Sequence, residues 1–561
     1  MCGFLITNFK NIKNQNKILH HRGPDNFRSF SIDGINFNFN RLKIVDLNNR
    51  SNQPFIYDKY ILVYNGEIYN YLEIKEKLKK LNYKFKTSSD TEVLLFSYIQ
   101  WGKKCLKMFE GMFSFCIYDK SKKEFFIARD AFGIKPLFYY FNQKQFIISS
   151  EIKNILAYDV KKIINKSSLY KFLNYGVYQD DSNTFYKDIF SLTPGNYAVV
   201  KNNKIYSYNW YNLKEINIQK NSTDINEEIK YLLNKSIKLS FRSDKEVALA
   251  LSSGVDSYYI YQDQKENNFE NISSFYHWSC KDENSEEKIL IKEIKNSKLN
   301  INYFNKNDFF KYFKKSIKII NGPVGGLNFL SALKAFENIK KNKIRVLIDG
   351  TGADEILGGY KHYIDSHYNN LKEKSAHYVQ GLKINFYPEI FNEKFFENDI
   401  KFNYKKDLNN HTSNLMYRDL MGSKIRRSLS QVDHLTMANS IEGRFPYLNH
   451  ELINYCFSIP RKLLFKKNIG KLPLRKLIKN QKIAFSPKNS LQTPQIKWMH
   501  EFIYDKFYKD LSKDENFFSL NILKKDKTLE ALSHWKKNVK NNSVFPWYLM
   551  NSYYLIKQIY D

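Results

Sequence analysis

The second residue of the chain is a cysteine that is placed where it could act as a nucleophile. Cys2 precedes Gly3 and an apolar run, and removal of Met1, which a small second residue permits, would leave its thiol beside a free α-amine. An α-amine has a pKa near ~8 and can take up the thiol proton, which activates the sulfur. A lone cysteine could also simply begin a buried strand, so the motifs that follow decide between the two interpretations.

A second group of reactive residues follows the apolar run at 247–251. That run predicts a strand buried on both faces, and the Ser-Ser-Gly turn after it leads into a predicted helix. Free N–H groups at such a helix start bind phosphate, and Asp256 can hold Mg²⁺ beside it. The Gly-Lys-Ser/Thr ending of a Walker loop is absent from this turn. The segment therefore predicts a phosphate site of another kind.

A glycine-rich turn follows a further buried strand. The run IRVLI at 344–348 leads into DGTGADEILGGY at 349–360. Doubly wound α/β sheets bind their ligands at the carboxyl ends of the strands. This turn is therefore predicted to be a ligand-binding loop.

Four motifs in the first hundred residues support the nucleophile interpretation of Cys2. They are HRGPD at 21–25, NRLKIVD at 40–46, NGEIYN at 65–70 and SDTE at 89–92. Together with the Met-Cys-Gly start, they resemble the class II, N-terminal-nucleophile glutamine amidotransferases. The resemblance extends through ARDAFGIKPL at 128–137 and SSEIK at 149–153.

This resemblance implies that Cys2 attacks the carboxamide of glutamine and releases ammonia. Asn65 and the backbone N–H of Gly66 would stabilise the oxyanion, while Arg41 and Asp90 would bind the α-carboxylate and the α-ammonium. The implied catalytic residues are Cys2, Asn65 and Gly66. The implied glutamine-binding residues are Arg41, Leu42, Lys43, Ile44, Val45, Asn65, Gly66, Glu67 and Asp90.

The second half of the chain resembles the asparagine synthetase family. The loop at 252–257 is similar to the pyrophosphate loop of ATP pyrophosphatases, and 349–360 and 430–449 resemble the segments that face and cover it. The resemblance implies that ATP converts a carboxylate to its acyl-AMP, with Mg²⁺ held by Asp256 and Asp354. The implied ATP-binding residues are Leu251, Ser252, Ser253, Gly254, Asp256, Ser257, His277, Asp349, Gly350 and Lys488. The implied adenylate-site residues are Thr351, Glu442 and Arg444.

Hydrophobic patterns divide the chain into two domains. Alternating runs at 60–64, 125–128 and 196–200 predict strands, which fits the amidotransferase fold, an α+β domain of stacked antiparallel sheets, for residues 1–210. A helical pattern from 223 and buried runs at 247–251, 272–276 and 344–348 fit a doubly wound α/β parallel-sheet domain, adenine-nucleotide α-hydrolase-like, with a helical C-terminal elaboration. This second domain is predicted over 223–561. The boundary falls near 205–222, where the sequence becomes polar and patternless.

Composition excludes several classes of protein. Lys+Arg of 89 against Asp+Glu of 57 leaves a net charge of +32, a balance often seen in nucleic-acid-binding proteins. The lysines are spread along the whole chain, however, and zinc-finger and RNA-recognition motifs are absent, so we expect no nucleic-acid partner. Because no apolar run could span a bilayer and the five cysteines form no CxxC pair, we expect no membrane partner and a cytoplasmic, reduced protein.

Several positions depart from the family pattern. Ser253 stands where glycine is usual, Asp349 and Thr351 stand in a loop that usually opens Ser-Gly-Glu or Ser-Gly-Asp, Asn449 replaces an aspartate, and Ser490-Leu491 replace Gly-Phe. All of these positions belong to the predicted acceptor and nucleotide region. The resemblance therefore implies glutamine hydrolysis and adenylation more firmly than it implies a particular acceptor.

The sequence predicts a glutamine-hydrolysing asparagine synthetase that uses ATP, Mg²⁺ and aspartate, passes ammonia inside the protein and, like its relatives, forms a homodimer. An alternative in the same family amidates another carboxylate, such as a uronic acid of a surface glycan, and Thr351 favours it. A degenerate binding or regulatory member is an alternative of another class, supported by Ser253 and Thr351 and opposed by the intact Cys2. A basic nucleic-acid-binding protein is a third.

Overall fold

Two antiparallel sheets, stacked face to face, form the N-terminal domain. The computed structural model describes residues 2–10, 15–202, 204–213, 225–280, 298–369, 387–392, 408, 410–486, 493–540 and 542–560. The strands of the two sheets are β1 (Cys2–Thr7), β2 (Asn26–Ile32), β3 (Ile35–Arg41), β4 (Phe55–Tyr57), β5 (Tyr60–Ile68), β6 (Gly111–Asp119), β7 (Glu124–Arg129), β8 (Phe138–Phe141), β9 (Phe146–Ser149), β10 (Phe190–Ser191), β11 (Asn196–Lys201) and β12 (Lys204–Asn209). The first sheet has the order β10-β8-β9-β1-β3-β2 and the second the order β12-β11-β7-β6-β5-β4.

Alternating apolar residues hold the two sheets together. Phe4 and Ile6 of β1 are buried against Ile61 and Val63 of β5 in one core cluster, as the two-residue period of a strand requires. Each such side chain contributes about 1.5–3 kcal/mol when it is fully buried. Because β1 lies between β3 and β9, the first residue of β1 is held in a central position of its sheet.

Helices cover the outer faces of these sheets. Those of the N-terminal domain are Gln15–Ile18, Tyr71–Lys80, Asp90–Trp101, Ile152–Leu156 and Lys166–Tyr175. The helix Asp90–Trp101 begins at an N-cap in which the Ser89 side chain accepts from the Thr91 backbone N–H, the arrangement that satisfies a free donor at a helix start. This cap fixes the position of Asp90, which is the first residue of the helix.

A five-stranded parallel sheet forms the second domain. Its strands are β13 (Val247–Ala250), β14 (Ile272–Cys280), β15 (Leu299–Phe304), β16 (Val346–Ile348) and β17 (Glu442–Arg444). The order is β15-β14-β13-β16-β17, so the chain builds outward from β13 in one direction and then returns to build in the other. A doubly wound sheet has its ligand crevice at such a reversal, here between the carboxyl ends of β13 and β16.

Helices surround this sheet and continue to the end of the described chain. They are Ile225–Ser240, Val255–Glu266, Phe309–Ile320, Leu327–Lys341, Ala353–Leu357, Lys361–Asn369, His411–Met421, Ser423–Met437, His450–Ser458, Leu472–Leu477, Gln481–Ala484, Gln495–Trp498, Tyr504–Ser512, Glu515–Ser519, Lys525–Asn538 and Val544–Tyr560. Short 3₁₀ turns lie at Asn49–Ser51, Gly102–Met108, Lys306–Asp308, Pro388–Ile390 and Arg461–Leu463, and a π-helical turn lies at Met499–Ile503. Within the described ranges, none of the helices has both the length and the apolar character needed to cross a membrane.

The predicted fold class is confirmed for both domains, with one local difference. The segment Lys204–Asn209, which falls partly in the stretch where we saw no pattern, forms β12 at the edge of the second sheet. Tyr206 and Tyr208 are both about half exposed, at 49%, so this strand lacks the alternation of a half-buried one. The predicted helix start at 223 and 224 lies outside the described residues, and the helix is seen from Ile225.

Candidate active sites

The backbone of Cys2 is held at both of its polar ends. Its nitrogen donates to Oδ1 of Asn65 at 3.2 Å, and its carbonyl oxygen accepts from Nε of Arg22 at 3.1 Å. In the antiparallel pairing of β1 with β3, Cys2 lies opposite Arg41. The predicted nucleophile and the predicted carboxylate-binding arginine are therefore cross-strand neighbours.

Asn65 has an amide group ready to donate. The residue is fully buried on β5, and its Nδ2 has no hydrogen-bond partner among the described residues. Buried donors are usually paired, and this one, beside the nitrogen of Cys2, is available to a ligand acceptor. Gly66 comes next, and a Cβ built there would lie 2.1 Å from the Met112 carbonyl oxygen. Only glycine fits at this close approach of β5 and β6, which positions the predicted oxyanion donors.

The Arg41 guanidinium is enclosed by the loop that follows β3. It donates to the backbone oxygen of Asn48 at 2.7 Å, to Oδ1 of Asn52 at 2.8 Å and to the carbonyl of Asp46. The predicted glutamine-binding residues Leu42, Lys43, Ile44 and Val45 form the start of this loop. The arginine therefore shapes the pocket wall as well as supplying positive charge.

Two buried carboxyl groups lie at the other side of the predicted glutamine pocket. Asp90 accepts from the hydroxyl of Tyr64 at 2.8 Å and from the backbone N–H of Ile68 at 3.0 Å. Burial raises the pKa of Asp90, and burial together with the charge of Asp90 raises the pKa of Glu67 well above its ordinary value. Oε1 of Glu67 has no partner in the described part of the chain. An ammonium group bound here would favour the ionised form of both carboxyl groups and so lower both pKa values.

The Cys2 thiol is not activated by burial. Burial raises its pKa, while the positive N-terminus, the backbone N–H of Leu42 and the charge of Arg41 act in the opposite direction. The thiolate is the nucleophile, so this site needs a base beside the sulfur. The predicted α-amine would supply one.

The two loops of the second domain meet at the reversal of strand order. In the first loop, Ser252 and Ser257 place their hydroxyl oxygens 3.0 Å apart, and the helix Val255–Glu266 begins directly after Gly254. In the second loop, a Cβ on Gly350 would lie 3.1 Å from the Cβ of Asp256. The loops at 252–257 and 349–360 therefore share one crevice, which also brings Ser253 and Thr351 to it.

A lysine that the sequence analysis did not assign lies between the two predicted metal carboxylates. Nζ of Lys471 is 2.6 Å from both carboxylate oxygens of Asp256 and 2.5 Å from Oδ1 of Asp354. Burial opposes the charge of Lys471, but the two carboxylates outweigh it and raise the pKa of this amine. The residue is 3% exposed. Its ammonium occupies the position expected for a cation.

Glycines give the sequence signal that could have identified Lys471. A Cβ on Gly470 would lie 2.1 Å from the carbonyl oxygen of Gly358, and one on Gly359 would lie 1.8 Å from Oδ1 of Asp354. The backbone at 470–471 therefore packs directly on the Gly358-Gly359 turn. Matching glycines in two distant segments indicate such an approach.

The acidic pair fits a metal ion that is shared with phosphates. No group of three or more His, Cys, Asp and Glu side chains in the described ranges could hold a metal by itself. Mg²⁺ is commonly bound by one or two carboxylates together with substrate phosphates, and Asp256 and Asp354 supply such a pair. The residues present therefore fit Mg²⁺ that arrives with a nucleotide.

Two of the remaining predicted ATP-binding residues lie at the two loops, and a third falls outside the described residues. His277 is buried on β14, and its Nδ1 lies 3.0 Å from the carbonyl oxygen of Leu251, beside the first loop. Asp349 accepts from the backbone N–H of Thr351 at 2.7 Å and from its hydroxyl. Lys488 lies outside the described residues.

Glu442 and Arg444 face the first domain. Nε of Arg444 donates to Oε1 of Glu442 at 2.6 Å, and its Nη2 lies 3.9 Å from Oε2 of Glu67. The guanidinium also lies over the ring of Tyr69, 5.3 Å from its centroid. These two residues thus border the predicted glutamine pocket from the carboxyl-end side of β17.

A buried charge cluster joins the domains. We name the side chains of Arg22, Lys135, Glu151 and Asp433 the bridge cluster. Asp433 accepts from Nη2 of Arg22 at 2.9 Å and from Nζ of Lys135 at 3.0 Å, and Glu151 accepts from Nη1 of Arg22 at 2.9 Å. All four residues are buried. Removal of one partner from such a pair costs about 3–5 kcal/mol, because it leaves an uncompensated buried charge.

Comparison with known proteins gives matches over both domains. A glutamine amidotransferase domain model matches residues 1–211, and an asparagine synthase model matches residues 228–557. A putative glutamine-hydrolysing asparagine synthetase 2 of Methanocaldococcus jannaschii is 33% identical over 389 residues, which cover 64% of this chain and 73% of that protein. The glutamine-hydrolysing asparagine synthetase 1 of Bacillus subtilis is 28% identical over 540 residues, which cover 85% and 84%.

A solved structure of the allosteric regulatory enzyme of purine biosynthesis also matches. The match covers 45% of this chain and 60% of the other, at 16% identity and a TM-score of 0.29. These values are too low to carry an argument.

Proposed function

The chain belongs to the asparagine synthase family, and on that premise we propose that it converts a carboxylate to an amide with glutamine as the nitrogen donor and ATP as the activating substrate. As a member with both a glutamine amidotransferase and an asparagine synthase domain, it is an ATP-dependent carbon–nitrogen ligase. We propose that the two domains extend over residues 1–210 and 223–561.

The first half-reaction would take place at Cys2. Its sulfur attacks the carboxamide carbon of glutamine, and the α-amine takes up the thiol proton. The amide Nδ2 of Asn65 and the backbone N–H of Gly66 stabilise the negative oxygen of the tetrahedral intermediate. The α-amine returns this proton to the amide nitrogen, which leaves as ammonia, and water then hydrolyses the thioester to glutamate and the free thiol. Arg41 and Asp90 hold the α-carboxylate and α-ammonium of glutamine during these steps.

The second half-reaction would take place in the crevice between β13 and β16. The acceptor carboxylate attacks the α-phosphorus of ATP, pyrophosphate leaves, and ammonia then displaces AMP from the acyl-adenylate. Lys471 lies where it can stabilise the phosphate charge that develops on the leaving group. Mg²⁺ held by Asp256 and Asp354 would neutralise phosphate charge. Ammonia made at Cys2 would reach this crevice inside the protein.

The observation that carries this proposal is the unpaired, buried Nδ2 of Asn65, whose Oδ1 lies 3.2 Å from the Cys2 nitrogen. Most buried amide donors are paired, and this one is unpaired beside the predicted nucleophile. An oxyanion donor beside a nucleophile has to be left free until substrate arrives. The cluster of Asp256, Asp354 and Lys471 adds a nucleotide site in the same chain.

Aspartate is the proposed acceptor, which makes the product asparagine. The alternative is another carboxylate, such as a uronic acid, and one observation favours it. Thr351 stands where the family usually carries an acid, and its hydroxyl donates to Asp349. The position therefore contributes no charge of its own to the acceptor pocket.

Product analysis would test the function. Purified protein is given glutamine, ATP and Mg²⁺ with or without aspartate, and pyrophosphate and amino acids are measured. We expect asparagine and pyrophosphate together, and we expect Cys2→Ala to lose both unless ammonia is added. Cys105→Ala, which removes a buried thiol elsewhere, is the matched control. Glutamate without aspartate-dependent pyrophosphate would shift the acceptor to another carboxylate, and absence of both activities would refute the enzyme proposal.

We also propose a homodimer and a cytoplasmic location. The cysteines Cys2, Cys105, Cys116, Cys280 and Cys456 are all free and buried, which suits a reducing compartment. Light scattering after size-exclusion chromatography would test the dimer, because a molar mass near that of one chain would refute it.

A further inference from the structure

A carboxylate of the second domain reaches the predicted nucleophile through a single arginine. Asp433 lies on the helix Ser423–Met437, and its Oδ2 is 2.9 Å from Nη2 of Arg22. Nε of the same guanidinium donates to the carbonyl oxygen of Cys2 at 3.1 Å. One planar group therefore joins the peptide of Cys2 to Asp433, which lies 411 positions after Arg22 in the sequence.

The orientation of the Arg22 guanidinium toward Cys2 depends on Asp433. Its third contact, Nη1 to Glu151 at 2.9 Å, comes from the first domain, and a guanidinium fixed at both ends of its fork has a defined plane. With Glu151 alone, the plane could rotate about that one contact, and the direction of Nε would change. Asp433 therefore determines where Nε points.

The second domain also holds the loop that carries Arg22. The hydroxyl of Ser440 donates to the backbone oxygen of His21 at 2.8 Å. On the opposite side, a Cβ on Gly23 would lie 2.3 Å from the backbone of Asn40, so the loop is packed tightly onto β3. Both contacts limit the loop to one position, in which Arg22 faces Cys2.

We propose that Asp433 is a positioning residue for glutamine hydrolysis: through Arg22 it fixes the Cys2 peptide, so that the first reaction depends on a side chain of the synthase domain. This proposal rests on the proposed function. A small displacement of the nucleophile relative to the oxyanion donors lowers the rate of attack, because reacting atoms have to be held in a near-attack geometry. Binding of glutamine through Arg41 and Asp90 would be unaffected.

A purely structural role for Asp433 predicts something different. If the carboxylate only neutralised Arg22 and Lys135, its loss would destabilise the whole protein and lower both half-reactions together. Positioning predicts a selective loss of kcat for glutamine hydrolysis. The two roles are therefore separated by comparing the two half-reactions in one variant.

The test uses the full chain with Asp433→Asn, which keeps the shape but offers only one carbonyl oxygen to two cations. We expect kcat for glutamine hydrolysis to fall about tenfold, with KM for glutamine and ammonia-dependent pyrophosphate release within about twofold of wild type. The matched control is Glu110→Gln. Glu110 contacts Asn449 at 2.8 Å and Lys235 at 3.5 Å across the same domain boundary, and we expect its kcat to be unchanged.

A double-mutant cycle adds a second readout. Arg22→Lys should lower kcat in the same way, and adding Asp433→Asn to it should cause no further loss, because both changes break one connection. If Asp433→Asn loses ammonia-dependent activity through misfolding, Asp433→Glu, which keeps the charge and shifts it, should give an intermediate kcat with ammonia-dependent activity retained.

Three results would overturn the proposal. One is a wild-type kcat in Asp433→Asn, the second is an equal loss of both half-reactions in every variant, and the third is additive losses in the double mutant. A wild type that releases no glutamate would overturn the proposed function as well, so the two failures are distinguishable.

Discussion

The proposed glutamine site and the proposed phosphate site differ in how their polar groups are paired. At the glutamine site, Asn65 keeps a buried amide donor without a described partner, and Glu67 keeps a carboxyl oxygen in the same condition. At the phosphate site, Asp256 and Asp354 both contact Lys471 at hydrogen-bond distance. The first site keeps unpaired polar atoms, whereas in the second the Lys471 ammonium offsets part of the carboxylate charge.

The ligands explain this difference. Glutamine is a zwitterion with a neutral amide, so a site for it can leave single polar atoms unpaired at a cost of about 1–3 kcal/mol each. A nucleotide with Mg²⁺ brings several charges, and two facing carboxylates without a cation would repel one another strongly in a buried crevice. Lys471 offsets one of these two negative charges, and its ammonium is also available to the phosphates.

Loss of Lys471 should break the phosphate site and leave the other intact. We expect Lys471→Met to lower ATP-dependent pyrophosphate release about 10³-fold, because a preorganised positive charge at the leaving group is lost. Glutamine hydrolysis should stay within about twofold of wild type. Initial rates of pyrophosphate and glutamate formation measure both. Lys479→Met, at a surface lysine that is 2.9 Å from Glu266, is the control, and a Lys471→Met enzyme as active as this control would disprove the assignment.

Loss of the Asn65 amide should impair glutamine hydrolysis and leave the ATP-dependent reaction intact. We expect Asn65→Ala to lower kcat for glutamine hydrolysis about 10²-fold, the usual effect of removing one oxyanion donor, with a small change in KM. Ammonia-dependent pyrophosphate release should be unchanged. A coupled glutamate assay gives kcat and KM separately. A rise in KM with kcat unchanged would show that Asn65 binds the substrate without acting on the intermediate.

The contact between the two domains should respond to acid. His450 packs on Phe132 of the first domain, with 5.8 Å between ring centroids, and burial lowers the pKa of His450 to about 4. An unfolded histidine has a pKa of about 6.5. Between these values the unfolded chain binds a proton that the folded chain does not, so the free energy of unfolding falls as the pH drops through this window.

His450→Phe keeps a ring at this contact and removes the titration. Between pH 7 and pH 5, wild type should lose up to about 2 kcal/mol more than the variant, from about 1.4 kcal/mol per pH unit. Melting temperatures at the two pH values measure this difference, which should amount to a few degrees. Parallel losses in both proteins would show that other groups determine the acid response.

Local chemistry made much of this molecule predictable. The Val247 strand, its serine turn and the helix after it form a continuous signal, and the structure has β13, the loop at 252–257 and the helix Val255–Glu266 there. The motifs around Asn65 and Asp90 likewise indicated one pocket, and both residues are buried close to Tyr64 and Cys2. Such features depend on neighbours in the sequence.

Contacts between distant segments could not be predicted in this way. Lys471 is one basic residue among 89, and only the fold reveals that it is buried between two carboxylates. The orientation of Glu442 and Arg444 toward Glu67 depends on how β17 meets the first domain. The bridge cluster joins residues 22, 135, 151 and 433, whose types give no sign that they pair.

The bridge cluster also has a consequence for how the chain folds as it is made. Lys135 emerges from the ribosome roughly 300 residues before Asp433, a delay of ~15–60 s at bacterial or eukaryotic elongation rates. During that time Arg22 has only the carboxylate of Glu151, and Lys135 lacks the carboxylate of Asp433 with which it pairs. We therefore expect the N-terminal domain to finish folding late, and a fragment of residues 1–210 should be cleaved faster by protease than the same segment within the full chain. In a nascent chain in this state, positive charges of the bridge cluster lack a carboxylate partner. Asp433, which pairs with them in the finished protein, is the last residue of the cluster to be synthesised.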